Sequence, residues 1–182
     1  MKKLFPLLSF FLCGFNLYAQ DFKTTFEKTN GNETSTYFEC IEFYTRLAKK
    51  YRQTIQLKTF GSTDAGYPLH LVLFNAEKKL QPAQWENKLK ILVNNGIHPR
   101  EPDGIDASMM FIRDAAEGKL KVPPNVVLAV IPVYNIGGSL NRNSYTRVNQ
   151  EGPKSYGFRG NAQNLDLNRD FTKCDSKNAK AF

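Results

Sequence analysis

Apolar positions along the chain change period several times, and each change predicts an element. Tyr37, Ile41, Tyr44, Leu47, Ala48 and Tyr51 recur at helical spacing, and Thr36 with Glu39 ahead of them has the form of a capping box, so an amphipathic helix running to about Lys50 is predicted. Thr54 to Phe60 then alternates Ile55 and Leu57 with Gln56 and Lys58, a turn-rich stretch follows from Gly61 to Gly66, and Leu69 to Phe74 is mostly apolar. Two paired strands fit that pattern. Further on, the spacing predicts a strand over Lys90 to Asn94 and a helix over Asp103 to Glu117 with Ile105, Met109, Ile112 and Ala116 inward and Gly118 closing it. The β-branched run from Val126 to Val133 predicts a strand buried on both faces, and strand, helix, strand in that order implies a parallel crossover.

Periodicity disappears between Tyr134 and Asp170, where Gly, Asn and Arg dominate. A structureless stretch of this length inside a compact domain is usually functional or disordered. Tyr134, Tyr145, Tyr156, Phe158, Leu165 and Leu167 supply apolar anchors that a disordered segment would lack, so the loop is read as functional.

The amino terminus has a different pattern. A short basic start, Met1-Lys2-Lys3, precedes an apolar run from Leu4 to Leu17 and a small residue, Ala19, before polar Asp21. That is the form of a cleaved secretory leader over residues 1–20, since the run is shorter than the roughly 18 residues a spanning helix needs and Pro6 interrupts it. The expectation is a secreted or periplasmic protein with no stable membrane insertion after cleavage. Residues 21–35 are polar and read as a lead-in segment, and residues 36–182 are long enough for one domain with a sizeable core.

Net charge is +8, two units of it from Lys2 and Lys3 of the leader. The remaining Lys and Arg residues are scattered without a basic run or a nucleic-acid signature, so a nucleic-acid partner is not expected, although anionic partners such as cell-wall polymers are compatible. Beyond the leader only Cys40 and Cys174 remain, compatible with one disulfide or with two buried free thiols, and no Cys-x-x-Cys zinc spacing occurs.

Two short motifs carry candidate chemistry. His98-Pro99-Arg100-Glu101 follows the apolar run Ile91-Leu92-Val93, which places an imidazole and a carboxylate on a loop at the carboxyl end of a strand, where open α/β sheets bind their ligands. Neutral imidazole and carboxylate are both zinc ligands, and a catalytic zinc usually takes three protein ligands and leaves one position to water. His70 sits among apolar neighbours within a strand and is read as a half-buried strand residue. The second motif, Asp166-Leu167-Asn168-Arg169, delivers a carboxylate, an amide and a guanidinium together, and Arg169 can bind a carboxylate through two parallel hydrogen bonds.

Together these motifs resemble the zinc carboxypeptidase family: His-x-x-Glu after a strand, an arginine in a long loop, then Asp-x-Asn-Arg. The resemblance covers most of residues 36–171. It implies a three-layer α/β/α fold with a mixed central sheet, zinc bound by His98 and Glu101, and Asp166 accepting a hydrogen bond from His98. It further implies that Arg147 polarises the scissile carbonyl, that Asn168 and Arg169 hold the terminal carboxylate of a peptide or protein substrate, and that Arg100 lines a neighbouring subsite. Arg142 and Arg159 share the loop with Arg147 and lack a flanking signature that separates the three.

The family's third zinc ligand and its general-base glutamate lie well beyond the Asn-Arg pair, where 13 residues follow Arg169 here. The expectation is therefore an amino-terminal part of a catalytic domain, truncated before its last strands, with an exposed sheet edge and no activity alone. Two other readings share the motifs: a secreted remnant that binds peptide carboxylates without catalysis, and a zinc amidohydrolase of the aspartoacylase type.

Overall fold

A computed structural model describes residues 22–182, so the leader read over residues 1–20 lies outside the described residues. The predicted helix is α2 (Tyr37–Lys50), preceded by α1 (Thr25–Lys28), a short helix inside the segment read as a polar lead-in. Both start on capping boxes, in which Thr24 and Glu27, and Thr36 and Glu39, satisfy one another's backbone donors. The lead-in is more than a tether, because Phe22 is buried with its ring edge-on to Phe43 at 5.9 Å.

The remaining elements are β1 (Ile55–Ser62), β2 (Pro68–Phe74), β3 (Leu89–Asn94), α3 (Asp103–Ala116), β4 (Val126–Ile131), α4 (Ile136–Leu140) and α5 (Lys177–Ala181), with 3-10 turns at Pro82–Gln84 and Leu167–Arg169. The four strands form one mixed sheet in the order β1-β2-β4-β3. The pairs β1–β2 and β2–β4 are antiparallel and β3–β4 is parallel, as the crossover predicts.

β4 is central and almost wholly buried, which is why its sequence is a continuous apolar run rather than an alternation. α2 packs against α3 and β1. Tyr44, Leu47, Ile55, Val72, Met109, Ile112 and Val130 belong to one continuous core, and burial of such side chains contributes roughly 1.5–3 kcal/mol each. At the other end of the sheet β3 is an edge strand with Leu89, Ile91 and Leu92 exposed. His70 lies half-buried in β2, paired with Thr59 of β1.

The cysteines depart from both alternatives. Cys40 is buried and Cys174 exposed, and neither is in a disulfide. The long loop is also not structureless: α4 occupies 136–140, and Asn143 and Tyr156 form an antiparallel bridge that closes a ring over 143–156.

Candidate functional site

Parallel β3 and β4 end side by side, and their hydrogen bonding continues past the strands. Asn95 N donates to Ile131 O at 3.1 Å, Tyr134 N to Asn95 O at 2.8 Å and Asn135 N to Gly96 O at 3.1 Å. Gly96 has φ +63°, a conformation that favours glycine, and Ile105 Cδ1 would lie 3.1 Å from any β-carbon there. This turn carries the chain off the sheet into His98, and Glu101 N closes a further turn on His98 O at 2.8 Å.

Asn135 joins this turn to the long loop. Fully buried, its amide donates to Ile97 O at 3.3 Å and Arg159 O at 2.9 Å, while its carbonyl accepts from Gly138 N at 2.8 Å. Gly157 N adds a bond to Pro99 O at 3.2 Å, and Gln150 Nε2 one to Arg100 O at 3.2 Å. The second motif arrives by a separate device: Asn161 Oδ1 accepts from Gln163 N and Leu165 N, both at 2.9 Å, turning the chain so that Asp166 faces back.

The side chains that meet are His98, Glu101, Arg147, Arg159 and Asp166. His98 is buried, with Nε2 2.9 Å from Asp166 Oδ1. Burial alone would raise the Asp166 carboxyl, but hydrogen bonds from His98, Arg159 and Asn168 N outweigh it and hold the pKa at about 2. An ionised carboxylate only accepts, so the ring N–H at Nε2 is the donor to Asp166. The other ring nitrogen, Nδ1, lies 3.7 Å from Glu101 Oε2 and 3.2 Å from Arg159 Nη1. Arg159 also grips Asp166 Oδ2 through Nε at 3.1 Å and Nη2 at 2.8 Å, and Arg147 Nη1 donates to Glu101 Oε1 at 2.9 Å.

Other residues expected at the site do not join this node directly. Asn168 and Arg169 are exposed; among the described residues the former holds Asp166 through its backbone N–H at 3.0 Å and the latter bonds Asn168 O at 3.1 Å. Arg100 Nε is buried without a hydrogen-bond partner among the described residues. Among the loop arginines, Arg142 points elsewhere, into Thr34 and Ser155. Arg159 was not separable from its neighbours by sequence, and Asn135 was not foreseen at all. Its only local signal is an Asn ahead of Gly137-Gly138, the form of a helix N-cap.

The donor set has the chemistry of part of a zinc site. A metal-bound histidine commonly donates its other ring N–H to a carboxylate, as His98 does to Asp166, and Glu101 converges on the remaining nitrogen. The fit stops at two donors, since no group of three ligating side chains forms among the described residues.

The zinc carboxypeptidase family model matches residues 40–181, which include every residue of this node. The chain belongs to that family. Among solved structures it is similar to carboxypeptidase A of Helicoverpa armigera (18% identity, 60% of this chain and 26% of the other, TM-score 0.53). It is similar also to thrombin activatable fibrinolysis inhibitor (21%, 75% and 34%, 0.54) and to a metallo-carboxypeptidase from Burkholderia cenocepacia (17%, 77% and 35%, 0.54). No curated protein matches. At these identities the likeness establishes the fold, and the chain spans about a quarter to a third of the length of those structures. Residues 22–39, including α1 and the Ser35 region, lie outside the segment matched to the zinc carboxypeptidase model.

Proposed function

We propose that this chain supplies part of the active site of a secreted zinc metallocarboxypeptidase, which hydrolyses the C-terminal peptide bond of a peptide or protein. The observation that carries the reading is the placement of His98: its Nε2 lies 2.9 Å from Asp166 Oδ1 and its Nδ1 lies 3.7 Å from Glu101 Oε2. Zinc, when bound, would activate a water and polarise a carbonyl. His98 and Glu101 would be two of its ligands, with Asp166 fixing the ring.

A guanidinium at this face would stabilise the oxyanion that develops on the scissile carbonyl. Arg147 has that role by resemblance, and the position of Arg159 beside Nδ1 gives it an equal geometric claim. The exposed donors of Asn168 and Arg169 suit a terminal carboxylate, and Arg100 would line the adjoining subsite. The leader pattern supports export, and no helix among the described residues is long and apolar enough to cross a membrane. The same exposed pair supports a second reading, a non-catalytic domain that binds peptide carboxylates.

Zinc affinity by chelator competition on the full-length chain tests the proposal. His98→Ala should abolish binding and Asp166→Asn weaken it about 10- to 100-fold. Unchanged zinc content in His98→Ala would sink the assignment. Peptide binding that needs a free C-terminal carboxylate and survives His98→Ala, without cleavage by the parent, would favour the second reading.

A further inference from the structure

A second candidate site lies at the opposite end of the sheet. β3 and β4 run toward His98, whereas β1 starts at Ile55 paired with Phe74, the last residue of β2, and Phe74 pairs with Leu128 near the start of β4. At that far end a cavity of about 440 Å³ opens between the end of α2, the start of β1 and the chain after β2. Arg52, Gln53, Gln56, Lys78, Leu80 and Gln84 are among its walls, and none of its lining residues is acidic.

Three features there bear on a ligand. Gln56 Oε1 is buried without a hydrogen-bond partner among the described residues, and a buried acceptor left unpaired is costly enough to call for a donor. Lys78 holds φ +65°, a left-handed conformation that glycine adopts without penalty and lysine does not, in a turn built by Asn75, whose O accepts from Lys78 N at 3.1 Å and whose Oδ1 accepts from Glu77 N and Lys79 N; that turn sets the lysine at the cavity wall. The cations also divide: Glu77 pairs with Lys88 at 2.6 Å and Lys79 at 3.5 Å, while no carboxylate among the described residues pairs with Arg52 or Lys78. The end of α2 favours a positive residue at 52, but it accounts for neither the orphan carbonyl nor the left-handed lysine.

We propose that this cavity binds an anionic saccharide. Two unpaired cations call for an anion, the Gln56 carbonyl calls for a hydroxyl donor, the amides of Gln53 and Gln84 suit further hydroxyls, and buried Leu80 offers an apolar wall to the C–H face of a sugar ring. A sugar carrying a carboxylate meets all of these at once, whereas a simple anion or a neutral sugar meets only some. The site stands apart from the peptidase reading in both place and chemistry, and would tether the domain to an acidic polymer rather than act on it.

The test is an NMR titration of the full-length chain with tetragalacturonate, uncharged cellotetraose and inorganic phosphate. Tetragalacturonate should saturably shift the Lys78 amide and the Gln56 side-chain amide and leave His98 unmoved. Lys78→Gly removes the charge and relieves the backbone, so it should raise Tm while weakening binding about fivefold, which separates loss of the site from loss of the fold. Arg52→Gln and Gln56→Leu should weaken binding similarly. No saturable shift with tetragalacturonate, equal binding of cellotetraose, or equal effects from phosphate alone would each overturn the proposal, the last by showing an adventitious ion only.

Discussion

Two aspartates at junctions between distant segments, the half-exposed Asp166 and the buried Asp106, answer the same demand in opposite ways. Asp166 receives a two-point grip from Arg159 together with His98 Nε2 and Asn168 N, and its carboxyl is held at about 2. Asp106, in the first turn of α3, receives only neutral donors, Ser35 N at 3.2 Å and Ser35 Oγ at 2.7 Å, and there burial outweighs those bonds and raises the carboxyl. Charge distribution at the two junctions differs accordingly. Around Asp166 the neighbouring Glu101 and Arg147 pair with each other at a partly exposed surface, where a ligand could exchange with that ion pair. Around Asp106 everything turns inward: nearby Arg142 spends its guanidinium on Thr34 O at 3.2 Å, Ser35 O at 3.5 Å and Ser155 O at 2.8 Å. The first arrangement suits chemistry and the second suits a joint, here between the lead-in segment and the loop that carries Arg147.

Breaking the joint should have the largest effect on stability. Arg142→Ala would leave those carbonyls without their donor and should cost about 2–4 kcal/mol, read as a fall in the midpoint of thermal or urea unfolding. If the loss were below about 0.5 kcal/mol, the surface range, the clamp would be incidental.

Acid titration sharpens the contrast between the carboxyls. Asp166 is lowered, so its contribution is present above the ordinary 3.8 and is lost as pH falls toward about 2. Asp106 is raised, so its contribution is fully present below 3.8 and is lost as pH rises through the folded value. In unfolding curves collected against pH, Asp166→Asn should remove an acid-labile component and Asp106→Asn a component that favours acid. The same slope in both variants would contradict the difference in their surroundings.

The smallest effect is expected at the exposed tie between the same two segments. Lys154 Nζ and Glu33 Oε1 are 3.2 Å apart, but the lysine side chain is 78% exposed. Lys154→Ala should therefore change stability by no more than about 0.5 kcal/mol, and less still in high salt.

Local patterns were legible where one element could bury one face on its own account. α2 was announced by Thr36 and Glu39 and by its apolar stripe, and β4 by an unbroken β-branched run. His98 and Asp166 were legible as members of two short motifs. The loop arginines were not, because Arg142, Arg147 and Arg159 offer the same chemistry and differ only in what the folded chain places against them: two backbone segments, Glu101, and the His98–Asp166 pair. Phe22 was likewise hidden inside a polar segment, since one aromatic residue has no period.

The sequence by itself determined α2, α3, the four strands with their parallel crossover, and the two motifs of a zinc carboxypeptidase, because spacing along a strand or helix sets which face each side chain occupies. Tertiary structure alone decided which arginine meets His98, that Asn135 ties the two loops, and that one aspartate is lowered while another is raised. Those outcomes depend on distances between residues far apart in the chain and on burial, and neither is written in any local run of residues.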